Sequence, residues 1–132
     1  MQVNNQFPKK ENLKSRKDIG LLFANGKTMH AFPLRLVVAK KSTPTGVLIN
    51  MGVTVAKRNI RLAVNRNLVK RRIREAYRLN NHELKETLSR LNMELNIMMV
   101  YTSQQISTYD QMEEKIKVIL NRLNSWCEKG GE

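Results

Sequence analysis

The chain of 132 residues has one cysteine, Cys127, so no disulfide can form within it, and this suits a reducing compartment. Aspartate is nearly missing, with only Asp18 and Asp110, and the two histidines, His30 and His82, lie far apart with no HExxH or CxxC spacing near them. Catalysis by the chain's own side chains needs a nucleophile beside a base, or clustered carboxylates that hold a metal. Neither pattern occurs. Glu83/Glu86 and Glu113/Glu114 fall on expected helices with Lys or Arg nearby and read as solvated faces, while Cys127 reads as packing. No stretch approaches the roughly 20 apolar residues of a membrane span, and MQVNNQF lacks the apolar run of a secretory signal. A cytoplasmic location is expected. Repeats, low-complexity tracts and linkers are also lacking, which predicts one domain over 7–128 with frayed ends at 1–6 and 129–132.

What is abundant is positive charge. Twenty-four Lys and Arg against 11 Asp and Glu give +13 and a pI near 10.3, and such an excess points to a polyanion: nucleic acid first, an anionic membrane surface second. The excess is concentrated. From Lys57 to Arg78 nine cations face one carboxylate, Glu75.

Good helix formers fill the chain from Leu62 to a stop near Leu79, with no Gly or Pro. At about 100° per residue, Leu62, Val69, Ile73 and Ala76 share one arc, and Lys70, Asn67, Arg74, Arg78 and Arg71 an adjoining one, with Arg66 on the border. The first arc can pack on a core while the second meets solvent. Like charges at i,i+4 repel, so an anionic partner is expected to offset them. Guanidinium groups grip phosphate bidentately, and Asn67 among them supplies a donor and an acceptor for bases or 2′-hydroxyls. A membrane-surface helix would need a broad apolar face with Trp or Phe, which this one lacks.

Around this helix the periodicities predict the order α-β-β-α-α-β-α. Ser15 and Asp18 start a helix over 15–25 that a left-handed Asn25-Gly26 would stop. Phe32 to Lys40 and Val47 to Val55 alternate as strands and are expected to pair antiparallel, with Gly52 marking a bulge or a break. HELKETLSRL forms a second helix after the basic one, LNIMMVY a central strand covered on both faces, and Thr108 and Gln111 the capping box of a final helix ending near Glu128. A sheet with helices packed on it is the economical architecture.

Gly52-Val53-Thr54-Val55-Ala56-Lys57-Arg58, a short loop, and then Ala63-Val64-Asn65-Arg66-Asn67-Leu68-Val69-Lys70-Arg71-Arg72-Ile73-Arg74-Glu75 resemble the strand and R-N-R helix of the protein subunit of bacterial ribonuclease P. Asp18-Ile19 through Leu22-Phe23 and Gly26 match that family's D-F-x-x-V-F-x-x-G, and the likeness covers nearly the whole chain. The resemblance implies an α/β sandwich with a small mixed sheet and a left-handed βαβ crossover. It also implies a subunit with no active site of its own: the RNA subunit cuts with Mg²⁺, and the protein binds that RNA and the 5′ leader of precursor tRNA. Carried over by position, Lys57, Arg58, Arg66, Asn67, Lys70, Arg71 and Arg74 contact RNA. Arg61 and Arg78 join them as neighbouring cations. Ile19, Phe23, Arg35 and Val37 would line the leader cleft, no metal site on the protein is implied, and the enzyme is tRNA-processing ribonuclease P.

Departures from the family pattern accompany the match. Leu68 replaces the third residue of R-N-R, Ala56 the serine before the Lys pair, and the Asn59 to Leu62 loop is a residue longer without the family glycine. Ile19 and Val37 occupy positions that are usually aromatic, so the leader contact is expected to lean on charge and apolar packing, each lost base stack being worth about 1–3 kcal/mol. A structural RNA-binding protein of ribosomal or assembly-factor type, using the same helix without a nuclease, is the alternative.

Overall fold

The computed structural model describes residues 9–131, so the expected frayed end at 1–6, the first two residues of the expected domain and Glu132 lie outside the described residues. A 3-10 turn at Lys9–Glu11 leads into α1 (Arg16–Asn25), β1 (Lys27–Ala31), β2 (Leu34–Lys40), β3 (Ile49–Val55), α2 (Ala63–Asn80), α3 (His82–Leu91), β4 (Leu95–Tyr101) and α4 (Tyr109–Glu128). The four strands form one sheet in the order β1-β2-β4-β3.

That order overturns the expected pairing of β2 with β3. The strand with the most continuous apolar sequence, β4, inserts between them, antiparallel to β2 (Leu36 opposite Met99) and parallel to β3 (Met51 opposite Ile97). Burial on both faces selects such a sequence for the centre. The β2 strand instead hairpins with β1, Met29 facing Leu36, across a turn at Phe32-Pro33. Alternation within KTMHA is too polar to have flagged β1 as a strand, and Pro33, which cannot donate to a ladder, moves the start of β2 to Leu34.

Leu34, Leu36, Val38, Met51, Leu95, Ile97, Met99 and Tyr101 point to one face and build the main core with Val69, Ile73, Leu88, Met112, Ile116 and Leu123 from α2, α3 and α4. Cys127 is part of this core. On the opposite face only α1 packs, through Leu22 against Val37 and Met98, with Ile19 and Val100 alongside. Leu95 donates its amide to Leu48 O, on the β3 side, while its own side chain enters the helix-side core. With β4 running upward and the helices toward the viewer, the chirality of an L-residue then puts β3 on the right. The crossover from β3 through α2 and α3 to β4 therefore passes leftward in front of the sheet and is left-handed, against the usual preference. Met51 O, which faces away from β4 to accept the amide of Leu13, agrees with this sense.

Several local expectations are corrected. Gly26 is not left-handed: its φ of −75° and ψ of 154° are extended. Its glycine identity answers to crowding, because a Cβ there would stand 2.4 Å from Leu22 O and 2.6 Å from Val37 Cγ1. Gly52 neither bulges nor breaks β3, whose register with β4 is continuous, and a Cβ would lie 2.8 Å from Met98 Cε. Leu62 was expected on the buried arc of α2 but precedes the helix as an extended residue and is exposed, while Val69, Ile73 and Ala76 are buried as expected. The capping box at the start of α4 forms, Thr108 Oγ1 accepting from Gln111 N at 3.2 Å and Gln111 Oε1 accepting from Thr108 N at 3.0 Å.

Candidate nucleic-acid interface

Strand β3 ends at Val55, and the next seven residues form a compact loop before α2. Asn59 and Ile60 both donate their amides to Ala56 O, and the Ile60 side chain plugs the main core at 4% exposure. Arg66, one turn into α2, closes the loop from the other side: its Nη1 donates to Ile60 O at 2.9 Å and to Arg61 O at 2.7 Å. The outcome is a rigid ring whose three cations, Lys57, Arg58 and Arg61, are all exposed.

Along α2 the expected cationic arc is present but unevenly displayed. Asn67 and Arg71 are exposed, whereas Lys70, Arg74 and Arg78 are half-buried. Arg78 is held by Glu75 at 2.7 Å, an i,i+3 ion pair that neutralises the only carboxylate of the segment. Leu68, at the family's second arginine position, is half-buried. Arg61 is exposed on the loop. The start of α2 has no acidic residue in its first turn and no side-chain cap, so nothing there offsets the positive end of the helix dipole.

Two arginines of the basic segment thus serve the fold first. Arg66 braces the loop, and Arg72, on the α4 side of the helix, donates from Nη1 to Ser107 O at 2.6 Å. Nothing in a charge run distinguishes such residues from those facing solvent. For Arg72 the helical phase alone, outside the cationic arc, carried a signal.

The second expected group gathers at α1 and the sheet face it crosses. Ile19 is half-buried beside Leu22, and Phe23, four residues on, is 47% exposed. Arg35 lies on the same sheet face as Val37, half-buried, and its Nε is buried without a hydrogen-bond partner among the described residues. Val37 is the exception. At 4% exposure it lies under α1 against Leu22 and Met98, so it forms the floor of the helix contact and does not line an open cleft.

On the other flank of α1 a groove of about 450 Å³ runs past Asp18, Leu21, Asn25, Lys40 and Asn96. The β2–β3 loop beside it is knotted by Glu94. Its carboxylate accepts from Thr45 N at 2.7 Å, Thr45 Oγ1 at 2.9 Å and Gly46 N at 3.0 Å, and Lys41 Nζ stands 3.6 Å away. The Thr45 amide foremost, with Lys41 adding to it, holds the Glu94 carboxyl below the usual range, while burial lowers the Lys41 ammonium despite its partner. No local signal in the sequence points to this knot, whose two halves stand 49 residues apart. Among the described residues no three His, Cys, Asp or Glu side chains are grouped so as to hold a metal ion, and no helix is long and apolar enough to cross a membrane.

A family model described as Ribonuclease P matches residues 7–124. The ribonuclease P protein component of Porphyromonas gingivalis is 36% identical over 115 residues, covering 87% of this chain and 84% of that one. Among solved structures, the ribonuclease P protein of Staphylococcus aureus superposes with a TM-score of 0.69 at 17% identity, covering 86% of this chain and 94% of that one. The protein from Thermotoga maritima gives 0.66 at 22%, covering 85% and 96%.

Proposed function

This chain belongs to the ribonuclease P protein family, protein components of the endoribonuclease that matures the 5′ ends of tRNAs, and from that premise we propose how it meets its RNAs. The ring of Lys57, Arg58 and Arg61, together with Asn67, Lys70, Arg71 and Arg74 on α2, binds the ribonuclease P RNA through phosphates and sugars. Arg66 holds that ring in shape, and Arg78 contributes at the far end of the helix. The 5′ leader of precursor tRNA runs between α1 and the sheet, touching Ile19, Phe23 and Arg35, while Val37 supports the helix from beneath. On this reading, which follows the family assignment, the RNA holds the Mg²⁺ and performs the cut. The protein lowers phosphate repulsion between the two RNAs, and the work takes place in the cytoplasm.

The observation that supports this assignment best is the braced loop. A cation on a floppy loop loses backbone as well as side-chain entropy on binding, whereas the backbone beneath these three cations is already fixed by Ile60 and Arg66. Neutralising about five phosphates implies a log–log salt slope of roughly −4. The test is cleavage of a precursor tRNA at low Mg²⁺ with a bacterial ribonuclease P RNA alone, with the protein alone, and with both. Release of a mature 5′ end only by the mixture is expected. Cleavage by the protein alone would overturn the assignment of catalysis to RNA. A mixture no better than RNA alone, across RNAs from several bacteria, would leave a structural RNA-binding protein.

A further inference from the structure

Among the described residues Phe32 is the most exposed aromatic, at 70%, and it belongs to neither group above. It occupies the two-residue tip joining β1 to β2, and the tip is rigid. Pro33 O accepts from Thr102 N at 2.8 Å and from Thr102 Oγ1 at 3.0 Å, which ties it to the strand end at the centre of the sheet. The facing loop is fixed as well. Tyr101 donates its hydroxyl to Gln105 O, Ser107 N donates back to that hydroxyl at 3.1 Å, and Arg72 holds Ser107 O. Between tip and loop lies an open cleft of about 530 Å³, with Phe32 and Ile106 in its apolar part and Ser103, Gln105, Gln111, Glu114 and Lys115 in its polar part. Ile106 is itself 38% exposed.

We propose that Phe32 is a stacking platform for an unpaired RNA base, with the amides and hydroxyl of the cleft meeting the base edge and Lys115 a neighbouring phosphate. The inference rests on the RNA-binding reading above and extends it to a surface outside the basic helix. Three observations favour RNA over an apolar partner. The cleft lining pairs one cation, Lys115, with one carboxylate, Glu114, and two arginines meet the strand that leads to the tip: Arg122 donates to His30 O two residues before Phe32, and Arg35 sits opposite His30 in the ladder. Arg35 makes the tip continuous with the face assigned to the leader, so one strand of RNA can touch both. An aromatic already ordered by its own turn also stacks a base of any sequence, and such a contact contributes by itself what Ile19 and Val37 cannot.

The experiment compares wild type, Phe32→Ala and Phe32→Trp in the assembled holoenzyme, binding leader-bearing and leaderless precursor tRNA, and as protein alone binding the ribonuclease P RNA. Phe32 lies outside the core, so thermal melts of all three should coincide. Phe32→Ala is expected to weaken one RNA by about 5- to 150-fold, the range of a lost stack, while Phe32→Trp stays within about twofold of wild type. Loss confined to leader-bearing tRNA places the base in the leader; loss confined to the other arm places it in the RNA subunit. Equal affinity of Phe32→Ala and wild type for every RNA overturns the stack and leaves the functional assignment standing. Self-association of the free protein that Phe32→Ala abolishes, with RNA affinity unchanged, would make the tip a contact between copies instead. A wild type that binds neither RNA would overturn both readings together.

Discussion

Replacing Arg66 by Gln separates a brace from a phosphate contact. The guanidinium makes two hydrogen bonds to backbone carbonyls, 2.9 Å to Ile60 O and 2.7 Å to Arg61 O, and Gln cannot span both while carrying no charge. Hydrogen bonds to charged groups are worth about 1.5–3 kcal/mol, and because Arg66 is half-buried, water recovers part of that, leaving a loss of about 1.5–2 kcal/mol. Unfolding entropy of about 2.1 cal/mol/K per residue over 132 residues comes to about 0.28 kcal/mol/K, so the melting temperature should fall by about 5–7 °C. Arg58→Gln removes the same charge from an exposed site and should stay within about 2 °C of wild type. Thermal unfolding followed by circular dichroism reads both. RNA affinity supplies the second half. If Arg66 acts by holding the loop, combining Arg66→Gln with Lys57→Ala or Arg61→Ala will cost less than the sum of the single losses, since a disordered ring has less to lose. The reasoning is refuted if Arg66→Gln melts together with Arg58→Gln while its salt slope falls by about one phosphate's worth.

Four further outcomes are expected. Gly26→Ala should destabilise by about 1–3 kcal/mol in a denaturant titration, because the new Cβ meets Leu22 O and Val37 and must displace the end of α1. Ile19→Phe should tighten binding of leader-bearing tRNA, by up to about 1–3 kcal/mol if a stack is restored, and unchanged affinity would remove Ile19 from the leader path; Val37→Tyr is unsuitable for this purpose, since the residue is covered by Leu22 and Gly26. Glu94 has a folded pKa below its ordinary value of 4.5, so its contribution is present above that value and lost as pH falls through the lower, folded one. Glu94→Gln should accordingly flatten the acid limb of a stability–pH profile, and an unchanged limb would show the knot to be inert. Burial pushes the Cys127 thiol up to about 11, so iodoacetamide should label it only as the chain unfolds, with labelling and unfolding midpoints coinciding in a denaturant series.

Elements whose signals are local were legible in the sequence. HELKETLSRL and LNIMMVY have the limits of α3 and β4, and the Thr108 box opens α4, because periodicity and capping are properties of adjacent residues. Pairing was not legible. Nothing in β2 or β3 says that a strand 40 residues further along will come between them, and β1 carries too little hydrophobic alternation to advertise itself. Gly26 was not legible for a related reason: a glycine after a helix fits a left-handed stop and a close approach equally well, and only the packing of Val37 decides between them. In the interface, residue types told which side chains were available but not which were already engaged. Arg66, Arg72 and Arg78 find partners within the fold, and of the nine segment cations Lys57, Arg58, Arg61 and Arg71 stand exposed.

The order β1-β2-β4-β3 has a consequence for synthesis of the chain. Both larger ladders run through β4, and β2 and β3 do not touch along their edges. A nascent chain that has emerged only as far as Glu94 can therefore form nothing of the sheet beyond the β1–β2 hairpin, and it trails the whole basic helix with no core to lie on. Folding is postponed until Tyr101 is clear of the exit tunnel, and α4 must follow before the core is closed. Throughout that interval nine cations and a single carboxylate hang beside the most abundant RNA in the cell. The strand that holds the sheet together also sets how long the protein stays unsheltered next to ribosomal RNA.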